Sequence, residues 1–232
     1  MEQEKAKIKV IKDGPYRVTG GVPLSEKIIQ PRGAGYVLGN GRELPQAEQY
    51  LLCRCGKSKN PPFCDGIHKK EGFTSTETAS HLPYEQRARK FTGPDLDLSD
   101  DNRCAYARFC HREGGTAWSL TMRSSDPGCK KEAIIAAQEC PTGRLVAAEK
   151  DGTLLEIACA PCIEVVQDPE ENVSCGLFVK GGVELEGEDG YIYETRMRYA
   201  LCRCGRSRSK PLCDAMHVPV GWKDGSTKKK RF

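Results

Sequence analysis

Two stretches of sixteen residues carry the side chains best suited to holding a metal. Cys53 to His68 reads CRCGKSKNPPFCDGIH, and Cys202 to His217 reads CRCGRSRSKPLCDAMH. Both fit C-x-C-x2-S-x3-P-x-C-D-x-x-H without a gap, so three cysteines and one histidine recur at one spacing. Cys53 and Cys55 are two apart, which puts both sulfurs on one side of an extended backbone. Cys64 and His68 are four apart and share a face if that segment is helical. Pro61 and Pro62 precede it and shape the turn between the two pairs, while Asp65 can cap the first turn. Thiolates and an imidazole in this pattern suit a structural zinc ion or an iron–sulfur centre, and the spacing alone leaves both open. Zinc knuckles usually pair their ligands as C-x2-4-C, whereas the first pair here is C-x-C.

These sixteen residues resemble the signature of the CDGSH iron–sulfur (NEET-type) family, in both copies. The resemblance implies a 2Fe–2S cluster held by three cysteines and one histidine, with the close cysteine pair on one iron. It assigns Cys53, Cys55, Cys64 and His68 to one cluster and Cys202, Cys204, Cys213 and His217 to another. Family members usually carry Gly-Ser/Thr before the histidine. Here that pair is Gly66-Ile67 or Ala215-Met216, which removes a hydroxyl from the surroundings of the ligands. Ala215 in place of glycine predicts ordinary helical backbone at that position, since alanine avoids positive φ.

A third group of cysteines lies between the copies. Residues 104–111 read CAYARFCH, and AIIAAQECPTGRL follows later, with Cys140 just before Pro141. Asp126-Pro127 is a helix start and Cys140-Pro141 a helix stop, so a helix is predicted from Pro127 to about Glu139. RLVAAEK-DG-TLLEI then reads as a hairpin turning at Asp151-Gly152. This part is similar to the divergent mono-cluster ferredoxin domain that accompanies some CDGSH proteins. That similarity implies a cluster on Cys104, Cys110 and Cys140, either 3Fe–4S or a 4Fe–4S cluster completed by another group. Cys129 would lie about 16 Å from Cys140 along the helix axis, too far for one cluster to reach both. Cys159, Cys162 and Cys175 remain as spare thiols, a further ligand or a redox dithiol. His111 reads as a surface residue, and His81 has no evident partner.

The elements that must position these residues are short strands. Residues 8–24 alternate apolar and polar around turns at Asp13-Gly14-Pro15 and Gly20-Gly21, and V-x-G-G-V-x-L recurs in residues 176–185. A further strand is predicted at Tyr50-Leu51-Leu52 and at Tyr199-Ala200-Leu201. The first copy has about a dozen extra residues around Pro31 to Gly41, rich in glycine and proline and read as a surface loop. The expected fold is α+β: two small β-rich CDGSH modules, 1–89 and 166–232, with a ferredoxin-like insert at 90–165. NEET-type proteins pair as strand-exchanging homodimers, so two copies in one chain imply an intramolecular pseudo-dimer and a monomeric protein.

Composition narrows the function. The chain has 232 residues, 38% of them hydrophobic, which predicts thin cores stapled by bound clusters. Thirty-six basic against thirty-two acidic residues give a net charge of +4, which ligand thiolates would offset, so nucleic-acid binding gains no support. Thirteen cysteines in C-x-C and C-x-x-C spacings are unlike a secreted disulfide framework. With no secretory signal and no membrane-length apolar run, a cytoplasmic protein is expected. The basic tail STKKKRF weakly suggests an acidic partner. No nucleotide loop, flavin motif or catalytic triad is present. The expected role is electron transfer or cluster storage and transfer to protein partners, not catalysis. A redox enzyme or sensor using Cys159 and Cys162, and a zinc-binding interaction protein, are the other readings.

Overall fold

Paired glycines set the course of the chain. A computed structural model describes residues 5–226. In the first repeat unit, β1 (Lys7–Val10) and β2 (Tyr16–Thr19) form a hairpin, and the chain then meets Gly20 and Gly21. Both have positive φ, 81° and 60°, a region open to glycine at no steric cost. This corner sends β3 (Leu24–Arg32) away from its own hairpin. The first unit continues with β4 (Gly35–Asn40), β5 (Tyr50–Leu52) and a single turn of helix, α1 (Ile67–Lys70).

The middle unit follows with α2 (Tyr84–Arg87), β6 (Arg89–Thr92), β7 (Asp97–Asp100), β8 (His111–Arg112) and β9 (Gly115–Thr116). It ends with α3 (Ala117–Thr121), α4 (Pro127–Glu139) and β10 (Leu145–Ala148). The second repeat unit contains β11 (Cys162–Asp168), β12 (Val173–Lys180), β13 (Glu184–Glu186) and β14 (Arg198–Leu201). β11 spans the 165/166 division expected from sequence. Its Gly181 and Gly182 repeat the corner, with φ of 80° and 66°.

The two corners swap strands between the units. β3 runs parallel to β11, with Leu24 opposite Ile163, and β13 runs parallel to β1, with Leu185 opposite Ile8. The result is a four-stranded sheet, β13-β1-β2-β5, and a five-stranded sheet, β14-β12-β11-β3-β4. Each contains strands from both units. One core lies between them: Ile8, Val18, Leu24 and Leu52 pack with Ile163, Val179, Leu185 and Leu201, all buried. Neither unit buries that apolar surface by itself, as expected for segments this short.

The expected loop around Pro31 to Gly41 is instead a hairpin. β3 runs on to Arg32, the chain turns at Gly33 (φ 58°), and β4 returns with Tyr36 opposite Pro31. Glycine and proline are tolerated because β4 is an edge strand. β11 pairs with β3 only as far as Ile28, so Pro31 faces no second neighbour. The hairpin widens the sheet, and Tyr36 and Leu38 pack beside Ile29, Val166 and Phe178 on its outer face.

That outer face carries the middle unit. Ala105, Ala107 and Phe109 lie in the same apolar cluster, together with Cys175, Ala200 and Cys213. The middle unit has its own small core, in which Ala133, Ala136 and Ala137 of α4 pack on Leu98, Leu145 and Ala147 of the β10-β7-β6 sheet. α4 spans the predicted residues, and Asp126 caps it by accepting the N–H of Cys129 at 2.8 Å. The predicted hairpin after it turns at Gly152, but its second arm makes only an isolated pairing, Ala148 with Leu154. Leu154 and Ile157 stay exposed there, and of TLLEI only Leu155 packs on the middle core, its N–H donating to the Ala147 carbonyl at 2.9 Å. The chain is thus a strand-rich α+β protein. Among the described residues, no helix is long and apolar enough to cross a membrane.

The two metal loops meet at the centre. A Cβ on Gly56 would stand 2.5 Å from the Cys204 carbonyl oxygen, and one on Gly205 would stand 2.7 Å from that of Cys55. Gly56→Ala is therefore expected to cost about 2 kcal/mol or more, from left-handed backbone plus this collision. Gly66 is equally left-handed at φ 83° but has no atom within 4 Å of a built Cβ, so Gly66→Ala should cost about 1 kcal/mol. Denaturant unfolding of the two variants tests that order.

Candidate metal centres

Each fixed position of the repeated motif has a task in the backbone. The N–H of Cys53 donates to the Pro62 carbonyl at 2.8 Å, and that of Cys202 to Pro211 at 2.8 Å. Cys64 N–H donates to Leu51 and Cys213 N–H to Ala200, which stitches each metal loop to the strand before it. Ser58 and Ser207 donate to the carbonyls of Phe63 and Leu212. Asp65 accepts from the N–H groups of Lys59 and Ile67, and Asp214 from those of Arg208 and Met216. The motif spells out a loop that closes on itself.

The expected helix from cysteine to histidine is not formed. Gly66 and Ala215 both adopt left-handed backbone, with φ of 83° and 66°. Ordinary helical backbone at Ala215 is thereby overturned: the two bonds to Asp214 and the turn toward His217 override alanine's preference. The only helical turn in either loop is α1, and the second copy has none. The ligands still converge. Cys53 and Cys55 have sulfurs 3.7 Å apart, as do Cys202 and Cys204. Cys64 Sγ lies 3.3 Å from His68 Nδ1, and Cys213 Sγ lies 3.6 Å from His217 Nδ1. Two sulfurs bound tetrahedrally to one metal at about 2.3 Å stand about 3.8 Å apart, and a sulfur and a nitrogen about 3.6 Å. The four pairs fit those spacings. Among the described residues, no three His, Cys, Asp or Glu side chains gather around a single ion position. The donors come in twos.

At each close pair the shared hydrogen bond holds one thiol down and, with burial, pushes its partner up. In the first loop, the Cys55 thiol and the N–H groups of residues 56–58 hold the Cys53 thiol down to about 6. In the second, the Cys204 thiol does the same for Cys202, helped by N–H groups of the loop, to about 7. Burial pushes His217 down to about 4, with Arg203 adding to the effect, so its ring is held neutral with a lone pair free to donate.

The middle cysteines share a different setting. Cys104, Cys110 and Cys140 line one small cavity with Trp118, Thr142 and Arg144. Burial pushes the Cys110 thiol up to about 11, with the other two cysteines adding to it. Tyr106 and Arg108 in the connecting loop have left-handed backbone, φ 59° and 65°, and the N–H of Tyr106 points at Cys104 Sγ, 3.3 Å away. Such unfavourable backbone persists only where its surroundings enforce it. Arg108 supplies one anchor, through Asp168 at the end of β11 and the face of Tyr36. Arg198 supplies another: from β14 its guanidinium donates to the carbonyls of Ala137, Gln138 and Cys140. Arg144 donates twice to Asp100 and packs on Trp118.

Residues 13–69 and 176–218 match the family model described as iron-binding zinc finger CDGSH type, and residues 91–150 match the one described as divergent 4Fe-4S mono-cluster. Two CDGSH-type iron-binding motifs thus flank a divergent 4Fe-4S domain in this chain. No curated protein and no solved structure gives a match.

The two CDGSH units are not equivalent. His217 is 1% exposed, and its Nε2 has no hydrogen-bond partner, whereas Cys64 and His68 are only partly buried. Of the remaining cysteines, Cys129 sits in the first turn of α4, outside the cavity of the middle cysteines. Cys175 is buried in the cluster that contains Cys213, and burial pushes its thiol up to about 12. Cys159 is exposed and Cys162 opens β11; neither lines the middle cavity. His81 stacks on the Tyr191 ring at 3.7 Å, so it does have a partner. His111 is exposed, and Thr227 to Phe232 of the basic tail lie outside the described residues.

Sequence reading passed over the arginine inside each C-R-C. Arg54 and Arg203 are 1% exposed. Arg54 donates to the carbonyls of Gly14 and Ile11, and Arg203 to those of Cys175 and Val166, fixing each loop to the strands. Arg203 also pairs with Asp224 and packs on Trp222. The recurrence of arginine at that one variable position was the available signal.

Two outcomes follow from this geometry. Ala215→Gly should relieve left-handed strain and raise stability by up to about 1 kcal/mol, read as a higher denaturant midpoint. Cys140→Ser should remove the spectroscopic signature of the middle centre, while Cys129→Ser leaves it unchanged; losing it in both would overturn the separation of Cys129 from the site.

Proposed function

We propose that the chain is an electron-transfer or cluster-storage protein carrying three iron–sulfur clusters. Cys53, Cys55, Cys64 and His68 hold one 2Fe–2S cluster, and Cys202, Cys204, Cys213 and His217 hold the other. Cys104, Cys110 and Cys140 hold a third, 3Fe–4S or 4Fe–4S. The observation that carries this reading is the arrangement of the terminal ligands in close pairs, which suits a centre with two metal ions better than a lone zinc. When bound, such clusters supply one-electron chemistry. The chain's own contribution is a shell of loop N–H groups around the sulfurs and, at the second site, a histidine whose burial keeps it neutral.

The exchanged strands and shared core support an intramolecular pseudo-dimer that works as a monomer. A role without a substrate of its own is supported by the character of one cleft, about 470 Å³ between the middle sheet and residues 194–198. Four of its charged side chains neutralise one another: Lys90 with Asp97, Arg198 with Glu156. Partners are then redox or cluster-accepting proteins rather than nucleic acid or membrane. We assign the protein to the cytoplasm, where thiols stay reduced.

Iron and acid-labile sulfide analysis of anaerobically purified protein, with electron paramagnetic resonance after stepwise reduction, tests the proposal. Iron and sulfide in comparable multiples of protein, with a third signal lost in Cys140→Ser, are expected. Colourless protein containing zinc and no sulfide would overturn it.

A further inference from the structure

The middle unit covers one CDGSH site and leaves the other open. Its loop from Cys104 to Cys110 lays Ala105, Ala107 and Phe109 into the cluster that holds Cys213, and Val218 closes the same side. Thr142 and Cys213 line a common small cavity. The second site is thus walled by protein, with all four ligands buried. Among the described residues, no segment plays that part at the first site, where Cys64 and His68 reach the surface.

The surface around His68 is basic. Lys57 is paired with Glu71 at 2.5 Å, and the Asp65 carboxylate is occupied by the N–H groups of Lys59 and Ile67. Lys59, Lys69 and Lys70 are exposed and, among the described residues, have no carboxylate within salt-bridge distance. Two of them follow His68 directly in α1, and the third stands across the loop beside Asp65. With Lys57 and Glu71 paired, these three cations against the single Asp65 carboxylate leave a net positive surface around a partly exposed ligand, a steering patch for a protein of opposite charge.

We infer that the chain docks its redox partner at the first CDGSH unit alone, through Lys59, Lys69 and Lys70, and that this partner presents an acidic face. The inference rests on the iron–sulfur reading above and adds the place and the charge of the encounter. In the exchange the donor loses one electron and the iron at the first unit gains it, with no atom transferred.

The probe is an acidic plant-type 2Fe–2S ferredoxin, with binding to the full-length iron-loaded protein followed by calorimetry and reduction by stopped flow at several salt concentrations. Lys69→Glu/Lys70→Glu should weaken binding and slow reduction about tenfold or more at low salt, with the difference shrinking as salt rises. Arg206→Glu/Lys223→Glu, the same charge change beside the second site, should leave both within twofold of wild type. Should the first double variant lose iron, Lys59→Glu serves in its place and should act in the same direction. Equal effects of the two double variants, or none from either, would overturn the inference. So would binding to anionic phosphatidylserine vesicles in preference to the ferredoxin. Protein that purifies without iron and sulfide fails the earlier proposal first and is recognised before any partner is added.

Discussion

Everything in this protein depends on two strands that leave home. β3 and β13 each abandon the hairpin they follow and complete the sheet of the other unit. The apolar faces so buried are shared, so no stable half exists for the other to dock against. This explains how metal loops with little hydrophobic mass are held firmly. Tyr16, in the first unit, donates its hydroxyl to the carbonyls of Cys202 and Pro211 in the second. Trp222 returns the contact by donating to the Gly56 carbonyl. Each loop is braced from the opposite unit as well as from its own.

Buried charge does the remaining bracing. Arg54 and Arg203 are kept out of water with their guanidinium groups spread over backbone carbonyls, the way a buried cation avoids an unpaid desolvation cost. Arg198 and Arg108 do similar work at the middle site, and both reach across a boundary between units. The four arginines turn three small cores into one framework. Removing one partner from a buried arrangement of this kind typically costs about 3–5 kcal/mol, a large share of the stability of a protein this size.

How much of this could be read from the sequence depends on how local each feature is. The ligand sets were legible because metal spacing is local, and α4 because Asp126-Pro127 and Cys140-Pro141 mark both ends. The strand exchange was legible only through the family resemblance, since parallel pairing of residues 24 and 163 leaves no mark in either segment. Pro31 to Gly41 read as a loop because glycine and proline usually break strands, and only an edge position excuses them. Ala215 misled for the opposite reason: the residue is a poor match to its backbone, and it is the closing of the whole loop on Asp214, from Arg208 to Met216, that holds it there. The inequality of the two sites was invisible because their motifs are alike and only what covers them differs.

β4 has one more consequence. A pair of identical subunits would offer the same outer face twice, and a second module could settle on either or both. Here the strand that widens the sheet, and the Tyr36 ring that receives Arg108, occur once. The insertion therefore acts as a counting device: it gives one middle module a single seat beside two CDGSH units, and it tells the two otherwise interchangeable ends apart.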